Sequence, residues 1–255
     1  MEDLIRSKLY EFKRLKGNDI QLNVWIRDSN LWYWLYSALR LNGRPLDKQT
    51  ILSVLDGELQ ENLPLDLYSF IHGYASVYKD MVDCLEMQAH PDLKILERWY
   101  CNIFQTEELE FRKNNPVVYQ WDFVPPHFLD AKKLTDKLLK DSYKTRDEGY
   151  FLEKACMQHL DLLKIYPFGE NSIVMAGVLM MYVLMAYGCP LPSLNANEQD
   201  YSNLIYKYIH DGDPEPFISM VERSVLNRLD AVIEICRQAR EARGERPELL
   251  LREDQ

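Results

Sequence analysis

The stretch with the clearest chemical potential is the polar loop Pro167-Phe168-Gly169-Glu170-Asn171-Ser172. It separates an apolar segment ending near Tyr166 from a second one starting near Ile173. If the second segment is helical, Ser172 is placed to cap it. A helix N-terminus offers free N–H groups and the positive end of a dipole, so it can hold an anion such as phosphate. Glu170 beside it can carry a divalent cation such as Mg²⁺. The same residues also describe a plain connection, with Gly169 turning the chain, Ser172 capping and Glu170 in water. Residue types alone leave both readings open.

No other constellation competes with this loop. The chain has no GxxxxGK[ST], GxGxxG, HExxH or GxSxG signature. His72, His90, His127, His159 and His210 show no metal-ligand spacing. Cys84, Cys101, Cys156, Cys189 and Cys236 are dispersed and odd in number, which fits reduced buried thiols rather than a disulfide framework. The charged, amphipathic start of the chain is unlike a secretory signal, and together with the cysteines it points to a cytoplasmic protein. A net charge of −10 speaks against a nucleic-acid or anionic-membrane surface. The apolar run from Ile173 to Tyr187 falls short of the ~20 residues a membrane crossing needs.

Positioning the loop falls to helices. Helical periodicity runs from Leu4 to Leu15, and Asp28-Ser29-Asn30 offers caps for a helix from Leu31 to Leu41. Asp47 can cap a short helix through Leu55, and Pro64 opens a long one that His90-Pro91 breaks. The aromatic group Trp25, Trp32, Tyr33, Trp34 and Tyr36 has helical spacing and suits core packing or a partner surface. Around Pro116 to Pro126 the pattern changes to β-branched and aromatic residues, which predicts a small extended hairpin. Helical patterns then return on both sides of the loop and continue to about Ala242, followed by a charged tail.

The order of these segments resembles the Fic (filamentation induced by cAMP) domain. That family carries HPFxDGNGRxxR at the start of a helix, with a second His seven residues upstream. Here Tyr166-Pro167-Phe168-Gly169-Glu170-Asn171-Ser172-Ile173-Val174-Met175-Ala176-Gly177 aligns without a gap, and His159 stands seven residues earlier. "EFRKNNPVVYQWDFVPPHFLDAKKLTDKLL" resembles the family's flap, whose exposed backbone adds a target strand at Val118, Tyr119, Gln120 and Trp121. "SALRLNGRPLDKQTILSVLDG" resembles its inhibitory helix, with Ser37, Leu41 and Asn42 as the remnant of [ST]xxxE[GN]. The resemblance spans about residues 30 to 230 and implies a fold and a chemistry. The chemistry is AMP transfer from ATP to a target hydroxyl, with the loop His as base, the Asp on Mg²⁺, backbone and arginines on phosphate, and the inhibitory Glu paired with the second arginine.

Most of those roles are vacant. Tyr166 replaces the base, and a phenol with an ordinary pKa near ~10 is a poor base at neutral pH. Glu170 takes the metal position. Asn171, Ser172 and Ile173 stand where the phosphate cradle needs Gly-Asn-Gly, and Val174 and Gly177 replace the two arginines. From Ile165 to Tyr206 there is no Lys or Arg, although Lys144 or Arg146 could reach in from elsewhere. Leu41 replaces the inhibitory Glu whose partner is also gone, so an apolar contact between Leu41 and the loop helix is expected near Val174 and Gly177.

The expectation is therefore an all-α Fic-fold helical bundle with a small β-hairpin flap and an N-terminal helical extension. Residues 1–90 form the N-terminal region with the inhibitory-like segment at 31–57. Residues 91–235 form the core, with the flap at 111–126 and the motif loop at 166–177, and 236–255 the charged tail. The function implied is that of a degenerate adenylyltransferase relative that binds or regulates a protein partner, or serves as the silent partner of another such protein. No cofactor is then required. The alternative is an active nucleotidyl- or phosphotransferase that uses Glu170, Mg²⁺ and ATP with a base from another segment. No nucleic acid or membrane enters either reading, and the oligomeric state is open.

Overall fold

The computed structural model describes residues 1–60, 63–144, 149–194 and 196–245. Among these, α1 spans Glu2–Lys16, α2 Ile20–Leu41, α3 Lys48–Leu55, α4 Leu65–Glu86 and α5 Leu93–Phe104. They are followed by α6 (Ala131–Lys144), α7 (Phe151–Ile165), α8 (Asn171–Ala186), α9 (Glu198–Asp211) and α10 (Glu215–Glu241). The fold is all-α.

The hairpin of α7 and α8 is the centre. Helix α8 is apolar on nearly every face and is buried accordingly, with Met175, Ala176, Val178 and Met180 fully enclosed. Helices α6, α9 and α10 pack around α7, while α2 and α5 approach α8; Trp99 of α5 meets Tyr182 of α8 at 5.4 Å between ring centres. At the far edge α1 lies on α10, tied by Arg237 to Glu11 and Lys8 to Asp230. One hydrophobic core runs through the whole set, so the N-terminal helices are part of the bundle. No helix among the described residues is long and apolar enough to cross a membrane.

Three elements depart from expectation. Helix α2 starts at Ile20 rather than Leu31, capped by Asp19, whose carboxylate accepts from the Leu22 N–H at 3.0 Å. Ser29 and Asn30 are buried in mid-helix, where Ser29 donates to the Ile26 carbonyl and Asn30 Oδ1 accepts from the Leu191 N–H. Their polar groups serve tertiary packing, not a cap. Residues 111–126 hold no ladder of paired strands. Pairing is confined to one antiparallel bridge between Val118 and Phe123, around a 3₁₀ turn at Tyr119–Trp121. Pro116, Pro125 and Pro126 lack the N–H a ladder requires, and Trp121 swings inward to donate to Ser202 Oγ at 3.1 Å. Finally, α10 continues past 236 to Glu241 because Cys236 is still in the core and Arg240 reaches the Leu15 carbonyl. Residues 246–255 of the expected tail lie outside the described residues, as does Arg146.

Candidate functional site

The motif loop is held from both sides. Tyr166 ends α7 in a left-handed conformation, φ 51° and ψ 49°, unusual for a residue with a side chain. Arg112, at the start of the flap, fixes that turn. Its Nε donates to the Tyr166 carbonyl at 2.9 Å, and its own N–H donates to the Pro167 carbonyl at 2.9 Å. Its remaining donors go to the carbonyls of Asn114 and Pro126 and to Asn115 Oδ1. One guanidinium thus ties the base of the flap to the loop. Phe168 points into the core between Tyr100 and Phe111, with ring centres 5.4 and 5.3 Å away.

Ser172 is not the cap. Helix α8 begins at Asn171 with Glu170 at the cap position, and no side chain bonds its first N–H groups. Ser172 faces inward, fully buried, and its hydroxyl accepts from the Phe168 N–H at 3.0 Å. It braces the loop from within. The N–H groups of Ser172 and Ile173 turn back to the carbonyls of Gly169 and Glu170, at 2.9 and 3.3 Å. Asn171 donates from Nδ2 to the Tyr100 hydroxyl at 2.9 Å. The N–H groups of Ser172 and Ile173 and the side-chain amide of Asn171 are thus engaged within the protein.

Above the loop lies a cleft of about 980 Å³. It brings together Tyr166, Glu170 and Ile173 with the flap residues Val118, Tyr119, Gln120 and Trp121, and with Leu41 and Asn42. Asn171 is left out and faces a second groove of about 490 Å³ on the far side of Glu170. Ser37 is elsewhere too, accepting from the Leu194 N–H at 2.8 Å. Leu41 is buried and shares a small internal cavity of about 20 Å³ with Val174 and Gly177.

Within the flap, Tyr119 is 87% exposed while Val118 and Trp121 are buried. Trp121 sits edge-on to Tyr166, with ring centres 5.8 Å apart at 83°. Tyr166 itself is 5% exposed, and burial, assisted by the charge of Glu170, pushes its phenol up to about 12. His159 lies behind the loop, bordering the small cavity that Ile173, Val174 and Gly177 line. It is buried between α7, α9 and α10, with Nε2 2.7 Å from the Tyr201 hydroxyl and its ring stacked on Phe217 at 5.0 Å. Desolvation holds it down at about 4.

The charged groups lining the cleft are Arg112, Glu170 and Glu198. Sequence reasoning missed Arg112, since nothing local sets it apart from Lys113 beside it at the start of the flap. It also missed Glu198, the first residue of α9, although Asn197 before it reads as a cap and does accept from the Asp200 N–H at 2.7 Å. Lys144 is no substitute cation here; it sits at the end of α6 and pairs with Asp141 at 3.4 Å. Glu170 is an exposed single carboxylate, and no group of three or more His, Cys, Asp or Glu gathers for a metal among the described residues.

A buried helical hairpin whose loop opens beneath a flap defines the architectural class, and solved structures identify it as the Fic fold. A Fic domain containing signaling protein from Bacteroides thetaiotaomicron superposes with a TM-score of 0.78 at 16% identity, over 95% of this chain and 98% of that one. Fic-1 (residues 134–508) from C. elegans gives 0.72 at 15% identity, over 93% of this chain and 74% of that one. A Fic family protein from Desulfovibrio desulfuricans gives 0.66 at 16% identity, over 95% and 75% respectively. No protein-family model matches the sequence.

Proposed function

We propose that this chain uses the Fic fold without AMP transfer and works as a module that binds, or regulates through binding, a protein partner. The observation that carries this reading is Tyr166. A phenol held near 12 is ionised in roughly one molecule in a hundred thousand at neutral pH, so the position of the family's base holds no base.

The surroundings support the same reading. Phosphoryl transfer relies on positioning and on compensating negative charge. Arg112 is the cation at the cleft, and its donors already serve carbonyl oxygens. The Ser172 and Ile173 N–H groups are already bonded to the carbonyls of Gly169 and Glu170, and a helix end by itself contributes only about 0.3–2 kcal/mol. Ile173 adds a β-branched side chain where the backbone must approach phosphate. Glu170 alone, with no cationic phosphate ligands beside it, does not fit Mg²⁺ and ATP.

The test is incubation of the full chain with labelled ATP, Mg²⁺ or Mn²⁺, and cell lysate. No protein becomes labelled. Label transfer that disappears in Glu170→Ala would overturn the proposal and establish the transferase alternative.

A further inference from the structure

The cleft has the chemistry of a cation site. Glu170 and Glu198 are exposed carboxylates on its wall, and neither makes a salt bridge or a side-chain hydrogen bond among the described residues. The Tyr166 hydroxyl has no hydrogen-bond partner either, although the residue is 95% buried and lines the same cleft. The exposed ring of Tyr119 and several neutral side-chain amides, Asn42, Asn114, Gln120, Asn197 and Gln199, line it as well.

Each carboxylate stands at a helix start, Glu170 at the cap position of α8 and Glu198 opening α9, so a partial positive charge lies behind each. That offset lowers the net field but does not change what the cleft offers at contact distance. The N–H groups behind Glu170 close onto Gly169 and Glu170 carbonyls, and the Asp200 N–H closes onto Asn197. Arg112 is turned to carbonyls. An anion entering the cleft meets two carboxylates and no free charged donor. An ammonium or guanidinium meets carboxylate oxygens, a phenol oxygen and the exposed ring of Tyr119, the groups that recognise such cations.

We propose that the cleft binds a lysine or arginine side chain on an extended basic segment of a partner protein. Glu170 and Glu198 act as counter-charges, and the Tyr166 hydroxyl accepts a hydrogen bond. The rim favours a peptide over a free small cation, because Val117, Tyr119 and Val124 stand exposed along the flap as apolar anchors for flanking residues. The inference rests on the binding role proposed above and supplies its partner chemistry.

The test uses the full chain and a short fluorescent peptide of alternating lysine and leucine, with a glutamate-for-lysine peptide and spermine as comparisons. The lysine peptide binds saturably and more weakly as salt rises, the glutamate peptide does not bind, and spermine binds more weakly than the lysine peptide. The double variant Glu170→Gln/Glu198→Gln weakens the lysine peptide by about tenfold or more. Asp3→Asn/Glu86→Gln removes equal charge from exposed positions on α1 and α4 and leaves binding unchanged. Equal loss in both double variants, or none in the first, overturns the inference, as does spermine binding as tightly as the peptide. These outcomes are independent of AMP labelling, so the cation site can fail while the proposed function stands.

Discussion

Arg112 shows how one residue can set the geometry of a site without touching a ligand. Its fork reaches the Tyr166 carbonyl on the loop and the Asn114 and Pro126 carbonyls on the flap, and burial pulls its pKa downward with no carboxylate to oppose it. A lysine can satisfy one of those carbonyls but has no planar fork. Arg112→Ala should cost about 2 kcal/mol in chemical denaturation, the combined effect of lost hydrogen bonds to a charged donor. Arg112→Lys should recover only part of that. Amide exchange should rise across residues 112–126 in both variants, and unchanged exchange there would remove the residue from this role. The tie to the loop was not visible in the sequence, because the Tyr166 and Pro167 carbonyls lie far along the chain. The replacements at Tyr166, Val174 and Gly177 were visible, since each sits at a fixed offset in a contiguous motif.

Elements were legible where periodicity carried them. Helix α8 announced itself by its apolar run, and α4 by the prolines at Pro64 and Pro91 on either side. The start of α2 was not legible, because Asp28-Ser29-Asn30 has cap composition while Asn30 and Ser29 serve Leu191 and Arg228 across the core. The flap shrank to one bridge because Trp121 prefers the core to the alternation of a strand. Two glycines separate close packing from open space. A Cβ on Gly73 of α4 would lie 2.1 Å from the Asn102 carbonyl oxygen of α5, a backbone atom that cannot step aside. A Cβ on Gly177 of α8 would meet only Trp34, at 3.9 Å, beside the cavity that Leu41 lines. Gly73→Ala should therefore destabilise by about 1–3 kcal/mol or more through overpacking. Gly177→Ala should stabilise by about 1 kcal/mol through helix propensity. Thermal melts of the two variants should move in opposite directions; a matching shift would contradict the packing described for the two seams.

At the scale of the whole molecule, the bundle is closed around a neutral histidine. His159 on α7 meets Tyr201 of α9 and Phe217 of α10, and borders the cavity shared with α2 and α8. Its folded pKa of about 4 lies below the ordinary value of 6.5, the cause being desolvation. The unfolded chain therefore takes up a proton between pH 6.5 and about 4 while the folded chain does not, so stability is full above 6.5 and falls as pH drops through that window. At 1.36 kcal/mol per unit the full loss approaches about 3 kcal/mol. The buried tyrosines act with the opposite dependence at the alkaline end. Tyr78, Tyr166 and Tyr182 are each pushed up to about 12, so folding weakens as pH rises above the ordinary tyrosine value near 10. Urea midpoints should be flat from about pH 7 to 9 and decline on both sides. In His159→Gln, which cannot take up the proton, the acid-side decline should become shallower relative to that variant's own midpoint at pH 7. If the acid limb keeps its slope, some group other than the histidine at the junction of the helices governs acid unfolding.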